Sequence, residues 1–182
     1  KFGKAIAGLA TVGLAIYGYK KYFEKEKEGM AVSVVGCVIN AATYALTTIP
    51  SVENETVEEY TAANKISVDN MQKSIYIAAL GSGLAIRGMF FEGSRDVKDS
   101  LVFAGLTNIV SSGFTGITNL ISYINFNEKI NSLNSGRLIS QKHYLTLNFS
   151  NISLLVIISF VFVYALCYAI QNEQFEIAKA IL

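Results

Sequence analysis

The sequence predicts an all-α fold, a polytopic bundle of transmembrane helices. Hydrophobic residues make up 52% of the 182 residues and charged residues only 16%, whereas about 25% of a soluble domain is charged. The charges are clustered between long apolar stretches, which is typical of membrane spans. These stretches also lack the alternation of polar and apolar residues that membrane β-strands need.

Five segments approach the roughly 20 apolar residues that ~30 Å of hydrocarbon requires. They cover residues 3–19, 30–49, 74–91, 101–124 and 152–170. The fifth is the most apolar, the first is rich in glycine and alanine, and the fourth is the most polar. We therefore expect one transmembrane helical domain of about five spans that occupies residues 1–182.

The links between the spans alternate in length, and this alternation predicts a topology. Short charged links follow spans one and three, and longer loops follow spans two and four. The short links carry slightly more lysine and arginine, and short loops weigh most in the positive-inside rule. We expect an integral, multi-pass membrane protein with its short links in the cytoplasm.

Two further segments carry helical signals outside the five spans. The loop after Pro50 contains a capping box, Thr56-x-x-Glu59, and its apolar residues recur at helical spacing. This pattern predicts an amphipathic helix lying on the membrane surface. The tail at 172–182 has a similar pattern. It predicts either a second amphipathic helix or the start of a sixth span.

An internal similarity suggests that a two-helix hairpin is repeated. The sequence GLAIYG at 13–18 resembles GLAIRG at 83–88, and each is followed by Phe-Glu and then by a helix with a Gly and an Asn about one turn apart. Duplication of one hairpin in the same orientation would explain the match. The alternative is that Gly, Ala and Leu recur by chance in any membrane helix.

The fourth span carries a polar stripe. Its members recur at steps of three and four residues: Asn108, Ser111, Thr115, Thr118 and Ser122. Asn40 in the second span is a further candidate for the same polar face. In hydrocarbon such groups need partners or water. One interpretation is a pore or substrate path, and the other is adhesion between helices through hydrogen bonds of roughly 0.6 kcal/mol each. Packing is the favoured interpretation.

Small residues predict close helix packing, either within the chain or with neighbouring chains. Within a membrane no hydrophobic force drives helices together, so association depends on close packing. Glycine lets two helix backbones approach each other and gain van der Waals contact. The candidate packing positions are Gly8, Gly13, Gly83, Gly105, Gly113 and Gly116.

No residue pattern indicates catalysis, a metal or a cofactor. Cys37 and Cys167 lie in apolar segments and do not pair with other candidate ligands. His143 is a lone loop histidine, and Arg87 lies near a span end, where it can reach the interface. A net charge of +1 gives no reason to expect nucleic-acid binding.

These observations lead to two hypotheses about function. The first is a non-enzymatic membrane subunit that packs through small-residue helix faces into a larger assembly, such as a secretion, respiratory or viral membrane complex. Its partners would be the lipid bilayer and other membrane subunits or copies of itself. The second is a channel or transporter with a path lined by the polar face of the fourth helix.

Overall fold

The structure is a computed structural model, and it describes residues 2–135 and 149–171. Within these ranges the chain forms five α-helices and no β-strand. The helices are α1 (Phe2–Phe23), α2 (Lys27–Ala45), α3 (Val57–Met89), α4 (Arg95–Asn134) and α5 (Phe149–Gln171). The all-α prediction is confirmed, with one helix at each predicted span. The predictions about His143 and about the tail at 172–182 lie outside the described residues.

Three of the five helices, α2, α4 and α5, are long and apolar enough to cross a membrane. The most apolar stretch of α4 is 67% buried, against 28% for α2 and 22% for α5. A helix that combines spanning length with this degree of burial lies inside a bundle. Because α4 contacts all four of the other helices, it is the central helix.

The chain forms two antiparallel hairpins and one further helix. The first hairpin is α1–α2, and the second hairpin is α3–α4, whose two helices share the largest interface in the described chain. The first hairpin packs against α4, mainly through α2. Helix α5 covers the opposite side, where Ala165 and Ala169 pack with Ala85 of α3 and Val102 of α4.

The two short links lie at the same end of the bundle. Lys21 Nζ at the end of α1 donates a hydrogen bond of 2.6 Å to Asp96 Oδ1 at the start of α4. Nearby, Ser94 caps α4, because its hydroxyl accepts from the N–H of Val97. This contact agrees with the predicted hairpin geometry, in which both short links emerge on one side.

At the other end, α3 and α4 continue beyond their neighbours in the described chain. Helix α3 has 33 residues and α4 has 40, or about 50 and 60 Å at 1.5 Å per residue. Helix α2 ends level with Asn119, which donates to Leu46 O. Beyond that level the first half of α3 pairs with the last part of α4, and we call this two-helix extension the stalk (57–72 and 119–134).

The stalk corrects the prediction for the segment after Pro50. Thr56 does cap a helix, since its hydroxyl accepts from the N–H of Glu59 at 3.2 Å. However, that helix is the first part of α3 and packs against α4 instead of forming a separate surface helix. Tyr60 lies against Phe126, with 6.0 Å between ring centroids. Asn64 Nδ2 donates to Asn127 Oδ1 at 3.0 Å.

Glycines set the spacing within the second hairpin. An ideal Cβ placed on Gly105 would lie 2.5 Å from the backbone N of Ala85 and 2.6 Å from Gly81 O. Such distances leave no room for a methyl group. Gly88 is equally close to α4, because its Cβ would lie 2.8 Å from the backbone N of Val102. Backbone therefore contacts backbone along the α3–α4 interface.

The two hairpins pack alike at matching positions. In the first hairpin, a Cβ on Gly18 would lie 3.1 Å from Ser33 Cβ. In the second hairpin, Gly88 meets Val102 in the same way. Gly88 follows Gly18 by 70 positions and Val102 follows Ser33 by 69, which is the spacing of the internal similarity. The similar sequences therefore occupy equivalent places in the two hairpins.

We expect Gly105→Ala to destabilise the bundle. The added methyl would force α3 and α4 apart, at a cost of about 1–3 kcal/mol. Thermal unfolding in mild detergent would measure this as a lower midpoint. Gly83→Ala is the matched control, because a Cβ there meets nothing within 4 Å in the described chain. The control should be neutral or slightly stabilising. Equal effects of the two variants would contradict the close packing.

Candidate functional site: the polar seam

A row of fully buried polar side chains runs along one face of α4, and a further one lies on α2. We call this set the polar seam, and its members are Asn40, Asn108, Ser111, Thr115 and Asn119, each 0% exposed. On α4 they lie three, seven and eleven residues after Asn108, so helical periodicity places them on one face. That face meets the first hairpin at both ends of the polar seam.

Asparagine amides connect the helices along the polar seam. Asn108 Nδ2 donates to Gly36 O on α2 at 3.2 Å and to Ala104 O at 2.8 Å. Asn119 Nδ2 donates to Leu46 O, just beyond the end of α2, at 2.9 Å. It also donates to Thr115 O at 2.9 Å. The last turn of a helix has carbonyls without internal partners, so Asn119 satisfies an acceptor of α2.

Asn40 repeats this arrangement within the first hairpin. Its Nδ2 donates to Ala7 O at 2.7 Å and to Thr11 Oγ1 at 2.6 Å, both on α1. Thus three asparagines hold α1, α2 and α4 together through bonds from side-chain amides to backbone carbonyls. Contacts of this kind are those that the packing interpretation expects, since Asn40 and Asn108 bond to a neighbouring helix and Asn119 bonds to the residue that follows α2.

The hydroxyl groups of α4 fall into two classes. Ser112, Thr118 and Ser122 each donate to the carbonyl four residues earlier in their own helix, at 2.5, 2.9 and 3.0 Å. Such local bonds satisfy a hydroxyl without a second helix. By contrast, Ser111 Oγ and Thr115 Oγ1 are buried and have no hydrogen-bond partner among the described residues. Ser111 and Thr115 are therefore the two hydroxyl positions to explain.

The polar stripe extends along α4 beyond the end of the first hairpin. Thr118 contacts the beginning of α1, since a Cβ on Gly3 would meet its side chain. Ser122 lies in the stalk, beyond the end of α2. The predicted stripe is therefore one continuous surface of α4. Only its first three members lie well inside the part of the bundle where α4 packs with the other four helices, which we call the five-helix section.

The sequence reasoning missed Asn119 although its signal was present. Asn119 follows Thr115 by four residues and is 0% exposed, so it belongs to the same face. Thr118, which the prediction chose instead, is half buried. The spacing alone could not decide between adjacent positions, because both fall within the angular width of one helix face.

The predicted packing glycines divide into two groups. Gly105 and Gly116 pack against α3, the latter with its Cβ position 3.1 Å from Ser74 Oγ. In contrast, a Cβ on Gly8, Gly83 or Gly113 would meet nothing within 4 Å in the described chain. Gly13 is half buried. Contacts of the open glycines with other chains stay a prediction.

Charged residues lie at the ends of the bundle and do not enter the polar seam. At the short-link end the Lys21 side chain is 8% exposed and bonds to Asp96 and Glu24. Burial alone would lower the pKa of Lys21, but its bond to Asp96, the nearby Tyr17 and Glu24 together raise this pKa to about 12. The same bond from Lys21 lowers the pKa of Asp96.

A groove of about 660 Å³ lies at the opposite end, beside the stalk. Ile49, Pro50 and Val52 of the loop form one wall, and Tyr60 and Phe126 form another. The loop is held in place by Glu59, whose carboxylate accepts from the backbone N–H groups of Glu53 and Asn54 and from the Asn54 side chain. These bonds lower the pKa of Glu59.

The described residues contain no group of three or more His, Cys, Asp or Glu that could hold a metal ion. Comparisons with protein-family models, curated proteins and solved structures find no match to this chain. What the polar seam can do chemically therefore follows from its own groups. These are neutral amides and hydroxyls, which donate and accept hydrogen bonds but do not titrate at physiological pH.

We expect Asn108→Ala to weaken the attachment of the first hairpin. The variant removes the hydrogen bond from Asn108 to Gly36 O, so this carbonyl oxygen loses one donor. The cost should be about 1 kcal/mol, measured as a lower unfolding midpoint in mild detergent. Asn125→Ala, on an exposed position of the same helix, is the control and should be neutral. If both variants unfold like the wild type, Asn108 does not hold the hairpins together.

The Lys21–Asp96 pair should contribute in a defined pH window. The lowered pKa of Asp96 means that its contribution is present above the ordinary carboxyl value of 3.8 and is lost as pH falls through the lower folded value. The raised pKa of Lys21 means that its contribution is present below 10.5 and is lost as pH rises through about 12.

A double-mutant cycle with Lys21→Met and Asp96→Asn should therefore give a coupling energy of about 1 kcal/mol at neutral pH. The coupling should vanish in acid. The exposed pair Lys20–Glu24, 3.9 Å apart, supplies the control cycle and should couple less. Coupling that persists below the folded pKa of Asp96 would argue against an ion pair.

Proposed function

We propose that the chain is a non-enzymatic integral membrane protein that acts as a subunit of a larger membrane assembly. The observation that carries the proposal is the distribution of polar and apolar groups. The polar side chains of α4 from Ser100 to Thr115 are buried, and the outward faces of α1, α2 and α5 are apolar. Phe160 and Tyr164 on α5 are 74% and 68% exposed. Such a surface suits lipid or the helices of other subunits.

The dimensions of the five-helix section support a membrane location. It extends along α4 from Asp96, beside Lys21, to Thr118, beside Gly3. These 22 steps correspond to about 33 Å at 1.5 Å per residue, close to the ~30 Å of a hydrocarbon core. The stalk would then project from the bilayer. On this proposal all five helices span, including α1 and α3.

The orientation we propose places the short links in the cytoplasm. They carry Lys20, Lys25, Lys27, Arg95 and Lys98, and lysine and arginine in short loops set orientation. The stalk and its groove would then lie on the opposite side. The matching positions of the two hairpins support a parallel repeat, since both short links lie at one end.

The open glycines are the proposed contacts with other subunits. Gly83 on α3 and Gly113 on α4 are exposed and have no neighbour within 4 Å of an added Cβ in the described chain. They therefore present backbone to the membrane, where a second helix can approach closely. The buried glycines Gly81 and Gly105 already show what such positions do within this chain.

The second candidate is a channel or transporter with a path along the polar seam. Its support is that Ser111 Oγ and Thr115 Oγ1 have no protein partner among the described residues. Against it, the polar face of α4 is buried where the other helices contact it, and the polar seam contains no carboxylate or base of the kind that coupled carriers use. The groove beside the stalk is lined by other residues.

Native mass measurement in mild detergent tests the proposal. The tagged full-length chain would be extracted from membranes of its source, and we expect a complex heavier than one 19.8 kDa chain. Gly83→Leu or Gly113→Leu should reduce the mass without changing the unfolding midpoint. Ala62→Leu, exposed on the stalk, is the control.

Two outcomes would overturn the proposal. The first is a monomer for the wild type. The second is solute flux through reconstituted vesicles that Thr115→Leu abolishes while mass and stability are retained, which would favour the channel.

A further inference from the structure

The polar seam has more hydrogen-bond acceptors than donors. Each of its three asparagines directs both amide hydrogens at an oxygen, as the bonds to Ala7, Thr11, Gly36, Ala104, Leu46 and Thr115 show. Rotating an amide by half a turn would bring oxygen against oxygen, so the orientations are fixed. The three Oδ1 atoms therefore point away from these partners.

Five oxygens of the polar seam are left without a partner in the described chain. They are the Oδ1 atoms of Asn40, Asn108 and Asn119, together with Ser111 Oγ and Thr115 Oγ1. Every one belongs to a side chain that is 0% exposed. A buried polar atom without a partner costs about 1–3 kcal/mol, and several in one row are unusual in a folded protein.

Four of the five oxygens lie along one face of α4, and the fifth belongs to Asn40 on α2, whose amide bonds to α1. On α4 they extend from Asn108 to Asn119, about 16 Å along the axis at 1.5 Å per residue. On α2, Asn40 lies between Gly36 and Leu46, the two positions to which α4 is bonded. The row is thus bracketed by interhelical bonds at both ends.

We propose that the polar seam is an internal water-binding site. A water molecule supplies two donors for the unpaired amide oxygens and can accept from the hydroxyls of Ser111 and Thr115. Because a buried water needs 2–4 polar partners, five oxygens suit about two molecules. A monovalent cation would also satisfy oxygen ligands. Water is favoured because the polar seam contains no anionic group to offset the cost of burying a charge.

The consequence is that the two hairpins adhere partly through water. The direct bonds of Asn108 and Asn119 fix the register of α2 on α4, and the water molecules fill the acceptors between them. This inference concerns the interior of one chain, so it holds whether or not the chain joins a larger assembly.

Thr115→Val tests the proposal through the sign of its effect on the unfolding midpoint. The variant keeps the shape of the side chain and removes only the hydroxyl. If water is bound, the variant removes one of its partners and lowers the midpoint by about 2–4 °C. If the hydroxyl is dry and unpaired, its removal raises the midpoint and overturns the proposal. Thr107→Val is the control, because Thr107 Oγ1 already bonds to Phe103 O in its own helix.

A second measurement uses the unaltered protein. Transfer of nuclear magnetisation from water to the Thr115 methyl group should be fast, and transfer to the methyl group of Thr107, which is also buried, should be slow. Equal slow transfer to both would overturn the proposal. A third measurement compares salts. The unfolding midpoints in sodium, potassium and choline chloride at equal ionic strength should coincide. If one metal ion specifically raises the unfolding midpoint and Asn108→Ala abolishes this rise, the polar seam binds a cation and the proposal of bound water is overturned.

Discussion

The burial of polar groups on α4 is the constraint on which the rest of the structure depends. Asn108, Ser111 and Thr115 are uncharged, yet each would be costly in contact with lipid or with a purely apolar surface. All three are completely buried. The protein meets this constraint by packing the other four helices against α4, and Gly36 of α2 provides a backbone acceptor for Asn108. The apolar faces of the outer helices are then left to face outward.

Close approach of backbones provides the second part of the framework. Gly81, Gly88 and Gly105 allow the last part of α3 and the first part of α4 to touch, and the absence of side chains there favours van der Waals contact between the backbones. The second hairpin is consequently the longest and most closely packed unit. It continues past the end of α2, where Tyr60, Asn64 and Phe126 extend its interface with aromatic and amide contacts.

Much of the fold could be predicted because its signals are local. Hydropathy located every helix, the capping residue Thr56 marked the start of α3, and periodicity found the polar face of α4. The lengths of α3 and α4 could not be predicted in the same way. Their stalk portions are mixed in polarity and carry no span signal, since they bury only one face against each other. For this reason Thr56-x-x-Glu59 was interpreted as a separate surface helix.

The sequence by itself determined the helical class, the approximate position of each helix and the face of α4 that must be hidden. Only the tertiary structure decided what that face meets. Periodicity identifies a direction around a helix axis but carries no information about which distant helix lies there. The same limit applies to Lys21, which pairs with Asp96, and to Gly105, which meets Ala85. These pairings join residues far apart in sequence, and the packing of whole helices brings them together.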